Sequence, residues 1–150
     1  MPHDTIVRFA DDVSRMLSDV MRKFLKRQTK EVVQGNISLP QVFILDVLKD
    51  RPSMRMGELA GHLSVSMAAV TGIADKLVKS GFVLRGSVPG DRRVVNISIT
   101  AKGRKVIQRH NRARHKAIMD MFGHLSAEDR KKYLEILTKI HQHLKKDGHS

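Results

Sequence analysis

Two adjacent arginines, Arg92 and Arg93, directly follow the turn sequence Pro89-Gly90-Asp91. Residues 82–88 and 95–99 lie on either side of this turn, and both stretches have strand character. The second alternates apolar and polar side chains with the period of a half-buried strand. An isolated Asp-Arg-Arg turn would be interpreted as solvated charge, but an arginine on a narrow β-ribbon can enter the minor groove of DNA. The spacing therefore predicts a two-stranded basic hairpin, a wing, that contacts a nucleic-acid duplex.

Small side chains open the helical stretch that precedes this wing. Ser66 is a suitable N-cap, and Gly81 is a suitable C-terminal residue. Short side chains on the first turns permit close approach to bases in the major groove, although close helix packing would explain them equally well. Basic side chains further along are expected to contact phosphates, with a solvated surface as the alternative. The predicted DNA contacts are Ser66, Ala68, Ala69, Thr71, Gly72, Lys76, Lys79, Arg85, Arg92 and Arg93.

The composition agrees with a polyanionic partner. The 150-residue chain has 28 Lys and Arg against 15 Asp and Glu, a formal net charge of +13, which attracts phosphate backbones. The sequence has no cysteine, which excludes disulfides and thiolate metal sites. No apolar run approaches the roughly 20 residues that span a bilayer, and the N-terminus is too acidic for a signal peptide. We therefore expect a soluble, cytoplasmic protein with no membrane partner.

Motifs for catalysis and metal binding are missing from the sequence. It contains no phosphate-binding G-x-x-x-x-G-K-[ST] loop, no G-x-S-x-G elbow and no H-E-x-x-H pair. His110 and His115 are five residues apart, and His141 and His143 are two apart, so neither pair has the i, i+4 spacing of two ligands on one helical face. We expect a protein that is not an enzyme and that has no metal site and no cofactor.

Helices are the elements that must position the basic residues. Residues 6–25 carry apolar side chains at intervals of three and four, as in an amphipathic helix. A second helix is predicted to start near Pro40 and to stop at Arg51-Pro52, and a short third helix covers about Met56 to Leu63. The tight turn Ser64-Val65-Ser66 leads into the helix with the small residues. Two helices joined by a tight turn and followed by a hairpin form a winged helix-turn-helix.

Two more helices are predicted at the C-terminal end. Thr100 can cap the first, and Ser126-Ala127-Glu128-Asp129 has the form of a capping box for the second. The apolar stripes of the terminal helices are too extensive to be covered by the DNA-binding module, which predicts a homodimer that presents two helices to a palindromic site. The expected fold is mainly α with a small β-wing: one domain, 1–150, in which a winged helix-turn-helix lobe of about 36–100 is flanked by N- and C-terminal dimerisation helices of about 4–34 and 101–146.

The segment from Leu59 to Gly103 resembles the core of the MarR family of bacterial and archaeal transcription regulators. The family hallmark is a D-x-R wing tip, followed by an apolar-Thr pair and a helix-opening glycine. Leu39 and Arg55 depart from the pattern, because many members have a capping Thr or Ser there. The matching positions are Asp91, Arg93, Ile99, Thr100 and Gly103, together with Val65, Ser66, Val70 and Thr71 at the helix start.

This resemblance implies a homodimeric transcription regulator, a repressor of double-stranded operator DNA that a small ligand releases. It also implies that Asp91 positions one of the wing arginines. Ligands of the family are small amphipathic or aromatic anions, phenolic or carboxylated, held where the dimerisation helices meet the DNA-binding module. The ligand-binding residues implied for this chain are Val13, Met16, Val20, Phe43, His110 and Arg114.

Two alternatives outside transcription regulation remain. A sequence-nonspecific architectural DNA-binding protein would share the basic surface but would show no preference for one site. A basic amphipathic protein attached to anionic membranes would share the charge, but an interfacial helix has no need of a hairpin. The wing therefore favours DNA over the membrane.

Overall fold

The computed structural model describes residues 2–34 and 37–147, with side chains described for residues 5–27 and 37–146. The expected fold class, mainly α with a small sheet, is confirmed. By its contacts the chain divides between Arg114 and His115 into two compact units. In chain order, the described elements are α1 (Pro2–Gln34), α2 (Leu39–Asp50), β1 (Ser53–Arg55), α3 (Met56–Leu63), α4 (Met67–Lys79), β2 (Val83–Val88), β3 (Asp91–Ile99), α5 (Ala101–Phe122) and α6 (Ala127–Asp147).

Polar groups near their first turns fix the starts of α2 and α3. Ser38 is the N-cap of α2, and its backbone N–H donates to the side-chain oxygen of Gln41 at 2.7 Å. Arg55 is the N-cap of α3 and brings no side-chain acceptor, but its N–H donates to the Glu58 carboxylate at 3.2 Å. Each helix therefore keeps the half of a capping box that satisfies the N-cap N–H. Leu39, which departs from the family pattern of a capping residue, is the first residue of α2, and the N-cap is Ser38.

The sheet has three antiparallel strands in the order β1-β3-β2. The prediction of a two-stranded wing was therefore incomplete, because the three residues of β1 pair with β3 on the side away from β2. Met54 is the buried residue of β1 and lies opposite Ile97. A strand of three residues is too short to show an alternation in sequence, so periodicity does not detect it. The wing is thus anchored on a third strand at its base.

The core of the first unit lies between α2, α3, α4 and the inner half of the sheet. Ile97 and Ile99 of β3 are buried, whereas Val95 is 41% exposed. The core thus ends part of the way along β3, and the outer part of the hairpin stands in solvent. The buried apolar side chains of the first unit include Ile44, Leu45, Leu48, Leu59, Val70, Leu77, Val83, Ile97 and, from α5, Ile107.

A junction of hydrogen bonds joins the end of α4, the start of β2 and the start of α5. The Thr100 hydroxyl donates to the carbonyl oxygen of Gly81 at 2.7 Å and accepts from the N–H of Gly103 at 3.1 Å. The N–H of Thr100 donates to the carbonyl oxygen of Phe82 at 3.0 Å. Lys102 Nζ lies 5.1 Å from the centre of the Phe82 ring. Gly81, at φ +74°, supplies the left-handed turn that brings the chain out of α4.

The second unit contains the end of α5 and all of α6. Ser126 is the N-cap of α6, as predicted: its hydroxyl accepts from the Asp129 N–H at 3.0 Å and donates to the Asp129 carboxylate at 2.8 Å. Phe122 and Tyr133 pack with ring centres 4.9 Å apart. Apolar side chains of α6 that remain exposed are Leu134, Ile136, Leu137, Ile140 and Leu144.

Candidate nucleic-acid interface

Helix α4 buries one side and presents the other to solvent. Its buried residues Val70, Ala74 and Leu77 recur at four and three, so they form a single stripe against the core. The Ser66 hydroxyl accepts a hydrogen bond from the Ala69 N–H at 3.1 Å, which confirms the predicted cap. The predicted contact residues of α4 that are exposed are Ala68, Ala69, Thr71, Gly72, Lys76 and Lys79.

The turn before α4 holds that exposed face outward. Ser64 has φ +52° and ψ +43°, the left-handed conformation that ends many helices. Its N–H donates to the carbonyl oxygen of Gly61, and the N–H of Val65 donates to that of Ala60 at 3.1 Å. Because Leu59 of α3 and Val70 of α4 are both fully buried, the turn places the two helices on one core. The resulting arrangement is a helix-turn-helix.

The wing tip projects two cations into solvent. Gly90 takes φ +89°, and the Asp91 carboxylate accepts a hydrogen bond from the backbone N–H of Arg93 at 2.9 Å. Asp91 therefore orders the turn through the backbone of Arg93, and no contact with its guanidinium is observed. Within residues 37–146, the guanidinium groups of Arg92 and Arg93 form no ion pair. Both charges are left for a partner outside the chain.

The other predicted phosphate contacts differ from one another. Lys76 and Lys79 are exposed and make no ion pair with any described residue. Arg85 of β2, by contrast, places Nη1 2.6 Å from the carboxylate of Asp75 and Nη2 3.4 Å from the carbonyl oxygen of Thr71. Sequence reasoning missed this pair. The signal available was Asp75 itself, the one acidic residue in the sequence of α4.

An open cavity of about 190 Å³ lies between α4 and the wing. Met67 and Thr71 line it from α4, and Arg85 and Val95 line it from the hairpin. Met56, at the start of α3, completes the lining. The helix and the hairpin are therefore not packed tightly against each other on this side.

The residues implied as a ligand site all belong to the first unit. Met16, Val20 and Phe43 are exposed, while His110 is buried. Val13 and Arg114 are half-buried. Their role in ligand binding remains a prediction.

A polar contact connects α2 with α5. Asn111 donates to the Asp46 carboxylate at 3.2 Å, and Lys49 lies at the same distance from it. Burial by itself raises the pKa of the Asp46 carboxyl group, but the hydrogen bonds from Asn111 and Lys49 and the charges of Lys49 and Arg114 outweigh burial. The net result is a pKa below the ordinary value of 3.8.

These features define a class of protein. A helix-turn-helix with an exposed second helix, followed by a hairpin with free arginines at its tip, is a winged helix-turn-helix of the DNA-binding kind. Among the described residues, no group of acidic or histidine side chains is arranged to hold a metal ion. The helices in the described part of the chain include none that is long and apolar enough to cross a membrane.

Comparison with known proteins relates the chain to one family. Residues 37–95 match the model of the MarR family. The chain is 28% identical over 136 residues to the uncharacterized HTH-type transcriptional regulator YsmB of Bacillus subtilis, covering 90% of this chain and 92% of YsmB. It is also 28% identical over 92 residues to the HTH-type transcriptional repressor MdtR of the same organism, covering 61% of this chain and 59% of MdtR.

A solved structure of a mutant MarR from E. coli, complexed with operator DNA, has a similar fold. The TM-score is 0.71 at 22% identity, and the match covers 88% of this chain and 96% of that one. The match over residues 37–95 and these relatives support a winged-helix transcription regulator of the MarR family, whose members are transcription regulators and not enzymes.

Proposed function

We propose that this protein is a homodimeric repressor that binds a palindromic operator in double-stranded DNA and is released by a small amphipathic or aromatic ligand. The observation that carries the DNA-binding part is the free charge of Arg92 and Arg93 at the wing tip, beside the exposed face of α4. An α-helix fits the major groove, and an arginine on a narrow hairpin fits the minor groove. The operator-bound structure of the E. coli neighbour supports the same partner.

Each proposed contact has a role that follows from its position. The small side chains on the first turns of α4 leave room for the base edges, and Ser66 holds the helix start while its own backbone faces the groove. Lys76 and Lys79 contact phosphates, which fixes the register of the protein on the duplex without reading sequence. Arg92 and Arg93 enter the minor groove at the edges of the site.

A matched set of charge removals tests this assignment. Arg93→Ala should lose roughly 1 to 3 kcal/mol on a preferred duplex of about 30 bp and should change preference at the edges of the site. Lys76→Ala should weaken binding to all sequences similarly and reduce the salt slope by about 1. Lys132→Ala removes one exposed positive charge on α6 and serves as the control. Fluorescence anisotropy over a salt series measures all three.

Equal losses of Arg93→Ala on the preferred duplex and on a scrambled duplex of the same composition would remove Arg93 from sequence reading. If the unmodified protein also bound both duplexes equally, the architectural alternative would replace the regulator. The preferred duplex is the one that the protein itself enriches from a random pool, so the comparison does not depend on knowing the natural site.

Dimerisation is supported by apolar side chains left in solvent on α1 and on α6, each helix taken by itself. An exposed stripe of this size on a soluble chain marks an interaction surface. Two-fold pairing would bury it and present two copies of α4 to half-sites about 10 bp apart, or a multiple of that spacing. Light scattering should give about twice the 17.0 kDa chain mass, and a stable folded monomer would refute the dimer. The exposed apolar residues of α1 include Ile6, Phe9, Met16, Leu17, Val20 and Met21.

Repression is the mode that the name of MdtR supports. The ligand-binding part is supported by the resemblance and by the mixture of apolar and cationic groups among its implied residues, in which Arg114 or His110 would fix a ligand oxygen. If a ligand lowers the affinity of the protein for operator DNA by some factor, operator DNA must lower the affinity of the protein for that ligand by the same factor. Aromatic acids that raise the melting temperature should therefore weaken the anisotropy signal with operator DNA. Stabilising compounds that leave operator affinity unchanged at saturation would favour constitutive binding.

A further inference from the structure

One ion pair joins the wing to the exposed face of α4. Arg85 Nη1 lies 2.6 Å from the Asp75 carboxylate, and Nη2 lies 3.4 Å from the Thr71 carbonyl oxygen one helical turn earlier. The Arg85 side chain is 34% exposed. The guanidinium group is therefore directed at α4 by two acceptors on that helix, and not into solvent like the groups at the wing tip.

Packing does not hold the same two elements together on this side. The cavity of about 190 Å³ separates Met67 and Thr71 of α4 from Arg85 and Val95 of the wing. Because this space is open to solvent, the side chains around it make fewer dispersion contacts than side chains in a closed core. Arg85 lines this opening, so its contacts with Asp75 and Thr71 link the wing to α4 beside the part of the junction that apolar packing does not close.

The position of Asp75 also needs an explanation in terms of charge. It is the one acidic residue in α4, it is 52% exposed, and its neighbour Lys76 is a proposed phosphate contact. An unpaired carboxylate there would repel the DNA backbone. Pairing with Arg85 neutralises it and at the same time occupies the donors that Arg85 would need for a phosphate.

We propose that Arg85 and Asp75 are positioning residues that clasp the wing to α4 and set the spacing between the two DNA-reading elements. This inference rests on the proposed sequence-specific DNA binding, and it replaces the phosphate contact that the sequence predicted for Arg85. The clasp acts through geometry: α4 and the wing tip must reach the major and minor grooves together, so a fixed spacing favours one duplex site over others.

The direction of the change in DNA affinity in one variant distinguishes the clasp from simple electrostatics. Asp75→Asn removes a negative charge near DNA, which on charge alone strengthens binding to every duplex. The clasp predicts the opposite on the enriched duplex of about 30 bp, a loss of about fivefold or more, since an interacting pair is coupled. Glu128→Gln makes the same change of charge at the exposed pair with Lys132 on α6 and is the matched control. Arg85→Gln, the double variant and the reversed pair, Arg85→Asp with Asp75→Arg, complete the set.

The clasp is supported if Asp75→Asn and Arg85→Gln both lose affinity for the enriched duplex more than for the scrambled one. The double variant should then be no weaker than either single variant, and the reversed pair should recover part of the loss. The salt slope should stay unchanged in the double variant, which leaves no carboxylate unpaired, whereas loss of a phosphate contact lowers it by about 0.9.

The clasp is overturned if Asp75→Asn strengthens binding to both duplexes, as removal of a negative charge alone predicts, or if the double variant lowers the salt slope. Melting temperatures of all variants identify any that unfold, in which case the reversed pair decides. Failure of the proposed function looks different, because the unmodified protein would then bind the enriched and scrambled duplexes equally.

Discussion

Replacement of Gly103 by alanine isolates the close approach of α5 to the start of β2. Gly103 is buried in the first turn of α5, and its N–H donates to the Thr100 hydroxyl at 3.1 Å. A β-carbon at this position would lie 2.2 Å from the carbonyl oxygen of Phe82 and 3.0 Å from a side-chain carbon of Ile99. The Phe82 oxygen belongs to the backbone, and it accepts the Thr100 N–H. No side-chain rotation can relieve the contact.

The size of the effect follows from three contributions. An ordinary contact between carbon and a carbonyl oxygen is about 3.3 Å, so the helix and the strand must separate by about 1 Å. Overpacking of this kind costs about 1 to 3 kcal/mol, and weakening the hydrogen bond to Phe82 adds about 1 kcal/mol. The better helix propensity of alanine returns about 1 kcal/mol. We expect Gly103→Ala to lower the free energy of unfolding by roughly 1 to 3 kcal/mol.

Gly72→Ala is the matched control, because a β-carbon on Gly72 meets no atom within 4 Å. It should stabilise the protein by up to about 1 kcal/mol through propensity alone. Thermal unfolding at one protein concentration should show a fall of about 2 to 12 °C for Gly103→Ala and a small rise for Gly72→Ala. A melting temperature for Gly103→Ala at or above that of the unmodified protein would refute the steric argument.

Three further perturbations have defined outcomes. Leu45→Ala removes a fully buried side chain and should cost about 2 to 5 kcal/mol in urea unfolding, and a loss below 1 kcal/mol would contradict its place in the core. Ser126→Ala should cost about 1 kcal/mol by loss of the α6 cap, and Ser126→Asp should restore most of it; equal melting temperatures would show that the cap is unimportant. The pKa of Asp46 is lowered in the folded state, so the Asp46 carboxylate stabilises the fold above pH 3.8, and this stabilisation is lost as the pH falls through the folded-state pKa. Asp46→Asn should therefore lower the free energy of unfolding at neutral pH, and the difference from the unmodified protein should shrink in acid. A deficit that does not depend on pH would exclude this charge effect.

Local signals predicted the helical part of the fold well. The bounds of α3 match the prediction from Met56 to Leu63, and the caps at Ser66, Thr100 and Ser126 are all observed. A cap depends on one side chain and a backbone N–H two or three residues away, so its information lies in adjacent sequence. The wing followed from turn residues and alternation for the same reason.

Features that depend on distant residues could not be predicted in the same way. Strand β1 forms because Met54 pairs with Ile97 across the sheet, and these two residues are 43 positions apart in the sequence. The pair of Asp75 with Arg85 depends on how closely the wing approaches α4, which no local pattern encodes. The sequence predicts Arg85 to be a phosphate contact, because the charge of a side chain can be read from the sequence whereas its ion-pair partner cannot.

The hydrogen bonds of Thr100 show how a short motif fixes the connection between two helices. The Thr100 hydroxyl both caps α5 and donates to the carbonyl oxygen of Gly81 just after α4, so one side chain connects α4 to the next long helix. The close approach of Gly103 to Phe82 is possible because glycine has no β-carbon, and Ile99 fills the core beside it. An apolar residue, a threonine and a glycine at this spacing therefore satisfy one requirement each, of burial, of hydrogen bonding and of close contact. The start of α5 is thus tied to the end of α4 within these few residues.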